Sequence, residues 1–260
     1  MDADTGPAHP RVRVFEDAEA VARHAAGAIT QAIDDARADG RLLHVALAGG
    51  STPQRAYEML RDVEGSWTHV HLWLGDERCV PEDDAEANVR MVRESLLAAP
   101  RDGEPVLHVV PTPEVPEDAA WLYSREVLKH MPEAVFDIVL LGMGPDGHTC
   151  SLFPGHPGLR VREAPVAAIR DSPKPPPERV TLTLPVVRRA RFTLLLASGE
   201  GKRDALAAAL AGDESIPLAL LGADLDEVAC DRAAAPPDPN AVGRGEPQPA
   251  VNFRCNGIAR

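Results

Sequence analysis

The sequence predicts a single α/β domain over residues 12–235: a doubly wound, mostly parallel sheet of Rossmann-like type with helices on both faces. Three observations predict it. Short continuous apolar runs recur, LLHVALA at 42–48, HVHLWLG at 69–75, FDIVLLG from Phe136 and RFTLLLA at 191–197, and runs without polar alternation suit strands covered on both faces. Each run ends in a Gly-containing or polar loop, and three of the four feed a segment of helical character. Strands alternating with helices imply right-handed crossovers and parallel pairing, which places ligands outside the carboxyl ends of the strands.

Asp17 suits an N-cap, and Val21, Ala25, Ala28, Ile29, Ala32 and Ile33 then recur at helical spacing until Gly40 supplies a stop. After the 42–48 run, Gly49 and Gly50 precede Ser51 or Thr52 as the cap of a second helix with Pro53 in its first turn. The 69–75 run leads through a polar loop to a helix around Asn88 to Leu97, and the 191–197 run leads through SGEG to an Ala-rich helix from Lys202 to Ala211. Between them, DSPKPPPERV at 171–180 is a Pro-rich connector that cannot be helical and runs into the alternating strand VTLTL. Residues 236–260 are rich in Pro and Gly without apolar periodicity and read as a disordered tail.

At 260 residues and 44% hydrophobic content the chain can bury a large core. Its formal net charge of -13 disfavours nucleic acid and anionic membrane surfaces, so a small anionic ligand requires a local basic pocket. Cys79, Cys150, Cys230 and Cys255 lie far apart with no CxxC pair, which indicates neither a zinc ribbon nor a redox dithiol but free thiols in a reducing compartment. The start, MDADTGPAHPRV, lacks the features of a secretory signal, and no stretch is apolar enough to span a membrane. The expectation is a cytoplasmic protein, a monomer or small homo-oligomer.

Four loops can carry chemistry. In AGGSTP the glycines let backbone approach a ligand at a helix N-terminus, which suits phosphate, although ordinary strand-to-helix geometry uses the same turn. In GDERCVPEDD, Asp76, Glu77 and Arg78 follow a strand directly; Arg78 offers a fork for phosphate or carboxylate, or closes an ion pair with Asp76 or Glu77 that stiffens the loop. In GMGPDGHTCSLFPG, Gly144 and Gly147 flank Asp146 and His148; a neutral imidazole there can take a proton from water, and the nearby Asp can orient it. In SGEGKRDAL, Lys202 and Arg203 open a helix, where cations call for an anionic partner. His44, His69, His71 and His108 lie in or beside strands and are assigned to packing or surface roles. Cys150 requires a depressed pKa to serve as a nucleophile.

The strings ALAGGSTPQRAYEML, LWLGDERCVPEDDAEANVRM, IVLLGMGPDGHTCSLFPG and SPKPPPERVTLTLP, with Gly201 and Lys202, resemble the 6-phosphogluconolactonase family from about Val12 to Ala235. That family is similar in fold to the glucosamine-6-phosphate deaminases and isomerases. Here, however, Thr149, Cys150, Ser151, Leu152 and Phe153 follow the DGH triplet, and Arg78 stands where those relatives usually carry an aromatic residue. The resemblance implies hydrolysis of a phosphorylated sugar lactone without metal or cofactor. It implies His148 as general base, and phosphate and substrate contacts from Arg78, Lys202 and the turn of Gly49, Gly50, Ser51 and Thr52; the loop readings add Asp146 beside the base and Asp76, Gly144, Gly147 and Arg203 as substrate contacts. Backbone N–H groups around Gly144 and Gly147 are the expected oxyanion donors. The 216–235 segment departs from the family pattern. A sugar-phosphate isomerase or deaminase and a non-catalytic sugar-phosphate sensor are the alternatives.

Overall fold

The structure, a computed structural model, describes residues 10–101, 103–111 and 115–237. Residues 238–260 of the expected tail, and Cys255 with them, lie outside the described residues.

The chain opens with β1 (Arg11–Phe15), α1 (Ala18–Ala38), β2 (Leu43–Leu47), α2 (Ser51–Arg61), β3 (Val70–Leu74), β4 (Asp76–Arg78) and α3 (Asn88–Ser95). It continues through β5 (Val106–His108), α4 (Pro116–His130), β6 (Ile138–Gly142), β7 (Val166–Ile169) and β8 (Arg179–Leu182). It ends with α5 (Leu184–Arg189), β9 (Thr193–Ala197), α6 (Arg203–Leu210) and β10 (Glu227–Asp231). Seven strands in the order β1-β10-β9-β6-β2-β3-β5 form one sheet, parallel at every pairing. Every residue of β2, β3, β9 and β10 is buried, so both faces of the sheet are covered, as the apolar runs demand. A smaller antiparallel sheet, β4-β8-β7, stands beside it.

Local chemistry sets the boundaries. Asp17 caps α1 by accepting the Ala20 N–H at 2.8 Å. At α2 the expected Ser51 or Thr52 cap is not what forms. Gly50, at φ 105°, is the cap residue, Ser51 is already helical, and no side chain satisfies the first turn. A positive φ at the end of a buried strand selects glycine there, and the helix begins at once. The helix expected from Lys202 starts one residue later, after a short 3₁₀ turn over Glu200–Lys202. Helix α4 was not anticipated by the apolar runs, yet Pro116 in its first turn, Glu117 and Asp118 beside it and Lys129 and His130 in its last turn match helix-end preferences. Among the described residues no helix is long and apolar enough to cross a membrane.

Glu77 ties the small sheet to α3. Its carboxylate is buried and accepts backbone N–H bonds from Arg78 at 2.8 Å, Asn88 at 2.7 Å and Val89 at 2.7 Å. Burial pushes this carboxyl up to about 7, with the three N–H donors pulling the other way. Neither alternative ion pair, Glu77–Arg78 or Asp76–Arg78, forms, because both carboxylates are engaged elsewhere. Glu77→Ala would strand three N–H groups and is expected to cost about 2–4 kcal/mol of stability, read by urea unfolding. A cost below about 1 kcal/mol would contradict this anchoring role.

Candidate active site

Four carboxyl-end loops and the Pro-rich connector converge on one cavity of about 280 Å³. The first contribution comes from Ala48, Gly49 and Gly50. Tyr57 of α2 reaches back to donate to the Ala48 carbonyl and accept its N–H, both at 2.9 Å, which fixes the turn. A methyl group on Gly49 would overlap the Asn88 carboxamide, so the close passage of these segments requires glycine. With no side-chain cap, the first-turn N–H groups of α2 remain available for an anion.

Asp76 and Arg78 form the second wall. Asp76 accepts the Ser151 hydroxyl at 2.6 Å, and Asn88 donates to the Asp76 carbonyl at 2.9 Å and its carboxylate at 3.4 Å. Arg78 donates through Nη1 to the Glu86 carbonyl and lies 3.7 Å from the Glu86 carboxylate, while its buried Nε has no partner in the protein.

The third loop holds the titratable pair. His148 Nδ1 and Asp146 Oδ1 are 2.5 Å apart, so Asp146 holds the Nδ1–H tautomer and leaves Nε2 with the free lone pair. Phe153 packs against the imidazole with ring centroids 4.6 Å apart. Burial lowers the His148 pKa, and Asp146 opposes that shift. The loop closes on itself through Gly144 N–H to the His148 carbonyl at 2.8 Å and Gly147 N–H to the Gly144 carbonyl at 3.0 Å. Both N–H groups are therefore already spent, which corrects the expectation that they receive an oxyanion. Cys150 reaches the cavity, but burial raises its thiol pKa well above the ordinary value, the opposite of what a nucleophile needs.

Lys174 and Arg179 were absent from the sequence-derived set. Lys174 places Nζ 3.3 Å from Asp146 Oδ1 and 3.4 Å from His148 Nδ1. Arg179, 4% exposed, donates to the carbonyls of Lys174, Pro175 and Pro176 at 3.0, 3.1 and 3.1 Å, fixing the connector that carries Lys174. Lys202 completes the lining; its pKa is lowered first by burial and then by Lys174. Four cations thus meet in a chain of formal charge -13, the local basic pocket an anionic ligand requires.

Gly49, Gly50, Asp76, Arg78, Gly144, His148 and Lys202 are brought together at the cavity, with Asp146 bonded to His148. Ser51 is exposed and Thr52 half-buried in the first turn of α2, and neither lines it. Gly147 instead packs against Ile216, which sets that residue behind the loop bearing Asp146 and His148. Arg203 does not line the cavity; it donates through Nε to the Ala233 carbonyl at 3.0 Å with the Glu200 carboxylate 3.5 Å from Nη1. Asn88 and Lys174 could have been singled out only from the NVRM and SPKPPP strings, since neither position carries a periodicity or spacing signal.

A sequence profile described as glucosamine-6-phosphate isomerases/6-phosphogluconolactonase matches residues 16–229. The chain belongs to this family. A family member from Streptomyces coelicolor, named 6-phosphogluconolactonase, is 39% identical over 233 residues, covering 82% of this chain and 88% of its own. The crystal structure of 6-phosphogluconolactonase from Thermotoga maritima superposes with a TM-score of 0.75 at 28% identity, covering 86% of this chain and all of the other. A monomeric glucosamine-6-phosphate deaminase, 21% identical, superposes at 0.71 over 86% of this chain and 98% of its own, so the shared scaffold does not choose between chemistries.

Proposed function

We propose that this chain is a 6-phosphogluconolactonase, opening 6-phospho-D-glucono-1,5-lactone to 6-phosphogluconate. The observation that carries the reading is an Asp-oriented His148 in a cavity ringed by cations, joined to the likeness to lactonases across most of the chain. His148 Nε2 takes a proton from water as its oxygen attacks lactone C1. The tetrahedral intermediate collapses, the bond from C1 to the ring oxygen breaks, and the imidazolium returns its proton to that oxygen. Asp146 stabilises the imidazolium formed in between. With the Gly144 and Gly147 N–H groups engaged, the oxyanion falls to the cationic side chains and to the uncapped N–H groups of α2.

Arg78 and Lys202 are the proposed phosphate grips, and they turn remote binding energy into orientation of C1. Arg78→Ala or Lys202→Ala is expected to lower kcat/KM for the phosphorylated lactone about tenfold to a hundredfold, with a far smaller loss on unphosphorylated gluconolactone. Equal losses on both lactones would remove the phosphate assignment. Acid release from fresh lactone, run beside ammonia release from glucosamine 6-phosphate, separates lactonase, deaminase and non-catalytic sensor. The unpaired thiols of Cys79, Cys150 and Cys230 support a cytoplasmic setting.

A further inference from the structure

A second cluster of titratable side chains lies under α4, away from the cavity. His71 of β3 and His108, the last residue of β5, are both buried, and His130 closes α4 above them. His71 Nδ1 and His108 Nε2 are 2.9 Å apart, and each of the three rings offers a nitrogen within 4.8 Å of the others. Glu126 stands behind them, with Oε1 3.3 Å from His108 Nδ1 and 3.0 Å from His130 Nε2. None of these residues lines the catalytic cavity.

We propose that His71, His108 and His130, supported by Glu126, form a non-catalytic site for a divalent metal ion of the Zn²⁺ class. Imidazole with carboxylate support suits this class of ion, and the site rests on geometry that packing alone does not require. In a tetrahedral zinc site with bonds of about 2.0–2.1 Å, ligand nitrogens lie about 3.3 Å apart. The His71–His108 pair needs only a few tenths of an ångström to reach that spacing. Glu126 Oε1 lies 3.3 Å from His108 Nδ1, placed to take that N–H once Nε2 is given to the ion, the arrangement in which a carboxylate behind a ligating histidine fixes its tautomer. The proton now shared between His71 Nδ1 and His108 Nε2 moves to His71 Nε2, so both rings stay neutral and binding needs no net proton release. His44, the neighbour on β2, is not a ligand: its Nδ1 accepts the Trp73 indole N–H at 3.1 Å. Half-exposed His130 and Glu126 provide the entry path.

The test uses the untagged full chain after chelator treatment, titrated with Co²⁺ and then Zn²⁺, and needs no substrate. One equivalent of Co²⁺ is expected to bind with visible bands of tetrahedral cobalt, a Kd below about 10 µM and displacement by Zn²⁺. Trp73 lies flat on His108, with ring centroids 3.6 Å apart, so its emission is expected to be quenched in step. His130→Ala, at the half-exposed end of α4, is expected to weaken binding at least tenfold, and Glu126→Gln about tenfold. Zn²⁺ at a hundred times its Kd is expected to raise Tm by about 5–10 °C in the wild type and not in His130→Ala. No Co²⁺ uptake below 100 µM would overturn the assignment. So would uptake that His130→Ala leaves within twofold, which would place the ion elsewhere on the chain.

Discussion

His148→Asn is expected to lower kcat at least a hundredfold with little change in KM, because it removes the imidazole whose Nε2 is proposed to accept the water proton. The pH profile supplies the second half of the test. The base works only when neutral, so activity rises with pH as His148 loses its proton. Burial lowers that pKa against the pull of Asp146, so the midpoint of the acid limb of kcat/KM is expected below the ordinary histidine value of about 6.5. The variant should lose this limb. Because the lactone also opens unaided in water, rates are taken against a pH-matched blank. An Asn variant keeping more than about a third of wild-type kcat would exclude His148 as the base and leave Asp146 to activate the water.

Gly144→Ala is expected to be nearly as damaging to turnover while leaving the fold intact. A methyl group at this position would overlap Nδ1 and Cε1 of His148 and approach Asp146 Oδ1, crowding the 2.5 Å contact of the proposed catalytic pair. The neighbour that must yield is the base itself. A displacement of about 1 Å at the reacting group costs on the order of a hundredfold. The expected signature is a loss of kcat of that size, with Tm lowered by only a few degrees and the acid limb of the pH profile moved. Full activity would mean that the loop relaxes without moving the imidazole, and that the 2.5 Å bond does not set the rate.

The four apolar runs disclosed the centre of the sheet because their burial on both faces leaves no polar alternation to confuse the pattern. The edge was less legible. RVRVF and EVACD carry charges at positions that become acceptable only after pairing, when Arg13 meets Glu227 at 2.9 Å and His24 meets it at 2.5 Å. Strand β4 consists of three consecutive polar residues, DER, and reads as loop until Glu77 is seen to gather its N–H donors. At the site, glycine-flanked Asp146 and His148 were readable from chemistry alone. Lys174 was not, since a lysine among prolines signals a connector. The Gly144 and Gly147 N–H groups invited the opposite assignment because no sequence pattern reveals that a tight loop consumes its own donors. Arg203 illustrates the remaining gap: its place at a helix start does not disclose the Ala233 carbonyl, thirty residues on, that engages its guanidinium.

Arg179 gives the Pro-rich connector a temporal consequence. The segment from Ser172 to Pro177 has no regular structure, yet three of its carbonyls are held by one guanidinium that is almost wholly enclosed. Its prolines restrict the unfolded chain as well, so little ordering is left to do. The arm bearing Lys174 is in place before a substrate arrives. Turnover on such a framework is expected to have no slow closing step in this segment to wait for.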